Sequence, residues 1–150
     1  TIVTGRLVRL REKTLDDAPR DYEWRKDPEL AEYDAARPMT MPYRNFLVTI
    51  TDDLSYPSSY RRTFAVEDIQ TGRHIGNVMY YGYDAFLHEA ELGITIGDRD
   101  YWSHGYGRDT VRTMLRCSGV SSKFMADVRA SRASGAGGRR PAAALFPLCR

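Results

Sequence analysis

Cysteine is scarce in this sequence. Cys117 and Cys149 are the only two in 150 residues, too few for a disulfide framework and without the spacing of a metal site. Long apolar runs are missing as well. No stretch approaches the ~20 residues that a membrane-spanning helix requires, and no signal-peptide pattern opens the chain. An excess of one charge is also lacking: a formal net charge of +2 is too small to argue for nucleic acid or an anionic membrane as partner. Ten tyrosines are many for this length, but with no basic stripe beside them they read as packing rather than as a stacking platform for bases. What is present, 42% hydrophobic and 28% charged residues, describes one domain large enough to bury a core. A reducing cytoplasm is the expected location.

Leu7-Val8-Arg9-Leu10-Arg11 alternates apolar and basic residues and reads as an opening strand with one buried face. Thr14 with an acid three residues on has capping-box character, and a helix starting at Asp16 or Asp17 keeps Pro19 in its first turn. Asp27-Pro28 signals a second helix start, with Leu30, Ala31 and Tyr33 expected to face inward. Residues 34–42 read as a loop and 43–54 as a helix with Phe46, Leu47 and Ile50 as its apolar stripe. Residues 63–67 and 75–83 form a predicted hairpin across Gln70-Thr71-Gly72-Arg73, and 89–96 adds an antiparallel strand. On that strand Ala90, Leu92, Ile94 and Ile96 share one face, while Glu91, Gly93 and Thr95 share the other and leave room for a ligand. The pattern is α+β, a meander followed by a helix.

That helix begins at the most informative stretch, Trp102-Ser103-His104-Gly105-Tyr106-Gly107-Arg108. Val111, Met114 and Leu115 follow at helical spacing. A strand, a glycine-bearing turn and a helix N-terminus make an anion-binding arrangement, because unpaired N–H groups and the helix dipole point at the same spot. Without Cβ atoms, Gly105 and Gly107 let a phosphate approach the backbone. A dinucleotide-binding βαβ unit is excluded, since the strands before the loop form a meander and no acidic strand end follows the helix.

The loop resembles the pyrophosphate loop of the GNAT superfamily of acyl-CoA-dependent N-acetyltransferases, Arg/Gln-x-x-Gly-x-Gly/Ala. Trp102 stands at its first position where the pattern has Arg or Gln. The aromatic Tyr-Trp pair leading into the loop is similar to the group that acetylates ribosomal-protein N-termini. Glu91-Leu92-Gly93-Ile94 resembles the family's fourth strand and Ile75-Gly76-Asn77 its third; the resemblance covers roughly residues 5–117.

The resemblance implies a GNAT-like acyltransferase fold, a mostly antiparallel sheet flanked by helices, with residues 1–117 as its core. It implies acetyl-CoA as co-substrate, no metal, and direct acetyl transfer to a primary amine, on a small molecule or a protein N-terminus. Backbone amides of Trp102, Ser103, His104, Gly105, Tyr106, Gly107 and Arg108 are implied to hold the pyrophosphate. Arg108 either adds a charge-assisted contact or is a solvated helix residue, and His104 offers its N–H rather than its imidazole. The fourth strand is implied to pair with the pantetheine arm through Ile94, Thr95 and Ile96, as an added strand would. Glu91, facing the side of Gly93 and Thr95, is the candidate base for the amine; its alternative is an exposed or salt-bridged strand acid. No position matches the family's general acid.

Residues 118–150 depart from the pattern. They are rich in Ser, Ala, Gly and Arg and read as an irregular tail rather than a second domain, of the kind a frameshifted or truncated gene end gives; a natural flexible tail is the alternative. The C-terminal half of the fold is then incomplete. The short apolar cluster 144–148 holds Pro147, which argues against a central strand. Met114 and Leu115 are expected to be poorly covered, and an open sheet edge to favour a homodimer. An impaired CoA-binding or interaction module is the alternative to an active enzyme.

Overall fold

The computed structural model describes residues 2–33, 36–58, 60–84, 86, 89–118 and 144–145. Among them a six-stranded antiparallel sheet follows chain order: β1 Val3–Thr4, β2 Val8–Glu12, β3 Arg62–Asp68, β4 His74–Asp84, β5 Glu89–Ile96 and β6 Ala144–Leu145. Helices α1 Ala18–Lys26, α2 Pro28–Tyr33 and α3 Tyr43–Ser55 lie between β2 and β3, and α4 Tyr106–Ser118 follows β5. No helix among the described residues is long and apolar enough to cross a membrane.

Alternation explains the two faces of the sheet. Val8 and Leu10 of β2, Phe64 and Val66 of β3, Val78 of β4 and Leu92 of β5 form one core with Val111, Met114 and Leu115 of α4. Each such side chain removed from water contributes roughly 1.5–3 kcal/mol. Met114 and Leu115 are only 5% and 4% exposed, so the expectation that they are poorly covered is wrong: the sheet itself covers them. On the opposite face Arg9 and Arg11 of β2 reach Glu67 of β3.

The hairpin between β3 and β4 turns with Gly72 at φ +68, the left-handed region that glycine enters at no steric cost. β5 pairs with β4 in a regular register from Glu91 opposite Tyr81 to Ile96 opposite Gly76; the irregularity in β4 lies beyond, between Tyr81 and Asp84. β6 pairs with Glu89 and Ala90, so residues 144 and 145 form a short edge strand rather than a central one. Residues 119–143 and 146–150, most of the predicted tail, lie outside the described residues.

The start of α1 follows its sequence signals. Thr14 N–H donates to Asp17 Oδ2 at 2.8 Å, a short 3-10 turn covers Leu15–Asp17, and the helix proper opens with its proline in the first turn. Asp27 Oδ1 caps α2, accepting from Glu29 N at 3.0 Å and Leu30 N at 3.2 Å. Leu30 and Ala31 are buried as expected, but Tyr33, the last residue of the six-residue helix, is 71% exposed. Of the α3 stripe, Phe46 is buried, against Tyr22 at 5.3 Å, while Leu47 and Ile50 are half-buried.

Candidate active site

β5 runs into a 3-10 turn, Arg99–Tyr101, capped by Asp98, whose Oδ1 accepts from Asp100 N at 3.2 Å. The chain then reverses through Ser103 at φ +63 and Gly105 at φ +89. A serine in that region costs about 1–2 kcal/mol, a local strain tolerated because the surroundings fix the loop. The first bond of α4 runs from Asp109 N to Gly105 O at 2.9 Å. The N–H groups of Tyr106, Gly107 and Arg108 therefore precede the ladder and have no intrahelical acceptor. At Gly107 a β-carbon would stand 3.8 Å from Ile96 Cγ1, so the helix start is packed on the end of β5.

Trp102 binds its own strand. Its indole Nε1 donates to the Ile96 carbonyl at 2.6 Å, and Arg99 Cζ stands 5.5 Å from its ring centroid. Tyr33 of α2 meets the ring at 5.7 Å and 82°. Arg99 in turn pairs with Asp27 at 2.8 Å and Glu29 at 2.7 Å, and these carboxylates raise its pKa. His104 is exposed, and its Nδ1 lies 2.8 Å from the Trp102 carbonyl, so a proton there turns the imidazole onto the loop. Arg108 is exposed at the helix start.

Helix α4 is anchored by Asp109. Its buried Oδ2 accepts from Arg6 N at 2.9 Å, Leu7 N at 2.8 Å and Val8 N at 3.2 Å, tying the turn before β2 to the first turn of α4. Beside it Tyr101 and Tyr106 meet edge to face at 4.8 Å, and Tyr101 Oη donates to Asp68 Oδ2 at 3.2 Å. Burial, then the Asp68 charge, raises the Tyr106 phenol above its usual value.

Glu91, Gly93 and Thr95 share the face of β5 away from the α4 core, opposite Tyr81, Met79 and Asn77 of β4. Ile94 and Ile96 pack toward that core. The expected room at Gly93 is taken: a β-carbon there would meet Met79 Cγ at 3.2 Å and Tyr81 Cε1 at 3.5 Å. Cross-strand partners fill the space that a glycine leaves.

A buried polar network on β4, beside Thr95, was not legible in the sequence. Lys13 Nζ donates to Asn77 Oδ1 at 2.7 Å and to Asp21 Oδ2; Asn77 Nδ2 donates to Asp21 Oδ1 at 2.7 Å. His74 Nε2 lies 3.0 Å from the same Asn77 oxygen, and its Nδ1 stands 3.3 Å from Asp17 Oδ1. Arg11 grips Asp17 with two bonds, 2.9 and 2.7 Å. Burial opposes ionisation of Asp17, but the Arg11 guanidinium and the Thr14 N–H outweigh it and hold the carboxyl down to about 2. Burial, then the Lys13 charge, pushes His74 below its usual value. Burial likewise lowers Lys13 against the pull of Asp21. The network seats α1, whose Trp24 fills the space over Gly97: a β-carbon on that glycine would overlap the indole ring. Among the described residues, no group of three His, Cys, Asp or Glu is arranged to hold a metal ion.

Residues 7–131 match a family model described as an acetyltransferase (GNAT) domain. No curated protein matches the sequence. Among solved structures, the fold is similar to a spermidine N-acetyltransferase from Vibrio cholerae in complex with CoA and spermine, at 19% identity and TM-score 0.65 over 73% of this chain and 62% of that one. It is similar to a GNAT-family acetyltransferase from Bacillus anthracis, at 16% identity and TM-score 0.61 over 77% and 64% of the two chains. A Vibrio cholerae protein described as a ribosomal-protein-serine acetyltransferase matches at 19% identity and TM-score 0.63 over 98% of each chain. The matches to the first two span less than two thirds of those chains.

Proposed function

Given that the chain belongs to the GNAT acetyltransferase domain family, we propose that it moves an acetyl group from acetyl-CoA directly to a primary amine. The observation that carries this is the passage from β5 through a left-handed Gly105 to a helix whose first ladder bond is that of Asp109 N to Gly105 O. It aims the N–H groups of Tyr106, Gly107 and Arg108 at one spot, where a pyrophosphate fits by hydrogen bonding and by the helix dipole. Arg108, exposed beside them, adds a charge-assisted contact. Ile94, Thr95 and the N–H of Ile96, whose carbonyl is held by Trp102, offer main-chain partners to the pantetheine arm, and one N–H there polarises the thioester carbonyl.

Acetyl-CoA supplies the thioester. Glu91 accepts a proton from the acceptor ammonium, directly or through one water, leaving the nitrogen lone pair free to attack the carbonyl carbon. The C–S bond breaks as the C–N bond forms, and the leaving thiolate takes up the second amine proton. Relatives named for spermidine and for ribosomal-protein serine support an amine as the acceptor, small molecule or protein N-terminus.

The test is thiol release from acetyl-CoA across a panel of polyamines, amino acids and peptide N-termini, with calorimetric titration of CoA. Thiol release with any amine supports the reading. CoA binding with no thiol release assigns the chain to a binding module, and the absence of both sinks the proposal.

A further inference from the structure

Two segments separated in the chain are assigned to one ligand in the reading above, the end of β5 and the loop before α4. One side chain joins them. Trp102, the first residue of the loop, donates its indole N–H to the carbonyl of Ile96, the last residue of β5, at 2.6 Å. The ring is held from two further elements, by Arg99 at 5.5 Å and by Tyr33 of α2 at 5.7 Å. Arg99 is itself fixed by Asp27 and Glu29 at the start of α2. The indole is half-buried and two rotatable bonds from the backbone, so this bond sets the spacing of strand and loop at little entropic cost.

We infer that Trp102 is a positioning residue that holds the β5 end and the pyrophosphate loop at the separation one CoA molecule spans. The inference rests on the proposed function. Its physical basis is effective concentration: a ligand touching both segments gains from their fixed spacing, whereas a ligand touching only the loop does not. An arginine or glutamine at this position acts on an anion through its charge or amide. Trp102 contributes no charge, and both its donors are spent inside the chain, the indole N–H on Ile96 and the main-chain N–H on the Arg99 carbonyl at 3.1 Å, so the expectation that its amide holds the pyrophosphate is not met.

The experiment is calorimetric titration of wild type and Trp102→Phe with two ligands, acetyl-CoA and 3′-phosphoadenosine 5′-diphosphate, which carries the pyrophosphate and lacks the pantetheine arm. Phenylalanine keeps an aromatic ring against Arg99 and Tyr33 and removes the N–H. Acetyl-CoA affinity is expected to fall about fivefold to tenfold, the cost of one hydrogen bond. Affinity for the arm-less nucleotide is expected to stay within about twofold. Equal losses for both ligands mean that the loop has merely collapsed and overturn the inference, as does an unchanged acetyl-CoA affinity. Should the variant fail to fold, the wild-type indole N–H decides. Trp24 and Trp102 give two indole signals, and that of Trp102 is expected to exchange more slowly with acetyl-CoA bound. Exchange that acetyl-CoA leaves unchanged overturns the bridge. A wild-type protein that binds neither ligand overturns the functional reading itself, an outcome distinct from any of these.

Discussion

Asp109 and Gly5 approach so closely that a β-carbon on the glycine would lie 2.6 Å from the carboxylate oxygen Oδ2. The same oxygen receives the N–H groups of Arg6, Leu7 and Val8. A bare backbone at residue 5 is therefore what lets the turn before β2 wrap around the carboxylate, and the carboxylate is what holds the start of α4 against the sheet.

Asp109→Ala is expected to destabilise the fold by about 3 kcal/mol, since it strands three N–H donors at a charged acceptor's site. Gly5→Ala should cost about 1–3 kcal/mol through overpacking, since the added carbon would overlap Thr113 Oγ1. Urea denaturation of each variant gives the values. Free energies within about 0.5 kcal/mol of wild type would show that the anchor carries no weight.

Gly105→Glu places bulk and negative charge where the pyrophosphate is proposed to lie. CoA binding by calorimetry should vanish while circular dichroism stays that of a folded chain. Gly105→Ala tests the backbone alone: at φ +89 a side chain costs about 1–2 kcal/mol, so a moderate fall in stability should accompany weaker binding. Wild-type titration by the glutamate variant would remove the loop from the site.

Glu91→Gln should lower kcat/KM at neutral pH and recover part of it at high pH, where free amine is abundant. A pH–rate profile of both proteins reads this. Equal loss at every pH would assign Glu91 a structural part opposite Tyr81 instead.

Acid should weaken the seat of α1 in two stages. The His74 pKa is lowered on folding, so below about 6.5 the unfolded chain takes up a proton that the folded one refuses, and stability falls with pH. Asp17 is held at about 2 against an ordinary 3.8; its contribution is complete above 3.8 and is lost as pH falls toward about 2. Thermal melts between pH 7 and pH 2 should show Tm declining through both windows in wild type. Replacing Asp17 with Asn should flatten the lower one.

Much of the scaffold was legible because its signals are local. The stripe Val111, Met114 and Leu115, the hairpin turn across Gly72 and the parity of Glu91 against Leu92 are set by neighbours a few residues away, and the structure carries all three. β1 escaped notice because two residues show no period. The network of Lys13, Asp21, His74 and Asn77 escaped for a different reason: its members lie as many as 64 residues apart, and only the docking of α1 on β4 brings them together. The filling of Gly93 by Met79 and Tyr81 likewise depends on strand register. Trp102 stood out as a departure from a loop pattern, but its bond to Ile96 required the loop's three-dimensional reversal.

The sheet lists its strands in the order in which the chain makes them. Among the described residues β1 and β6 therefore form the two margins of the sheet, and no described strand wedges between earlier ones. Shortening the chain from its C-terminal side peels strands from one margin inward, β6 first, and leaves β2 to β5 as an uninterrupted block with α4 against it. Sequence change near residue 145 thus acts on the margin of the sheet, beyond β5. The middle of the sheet, where the longest strand β4 joins β3 to β5, lies two strands away from that boundary.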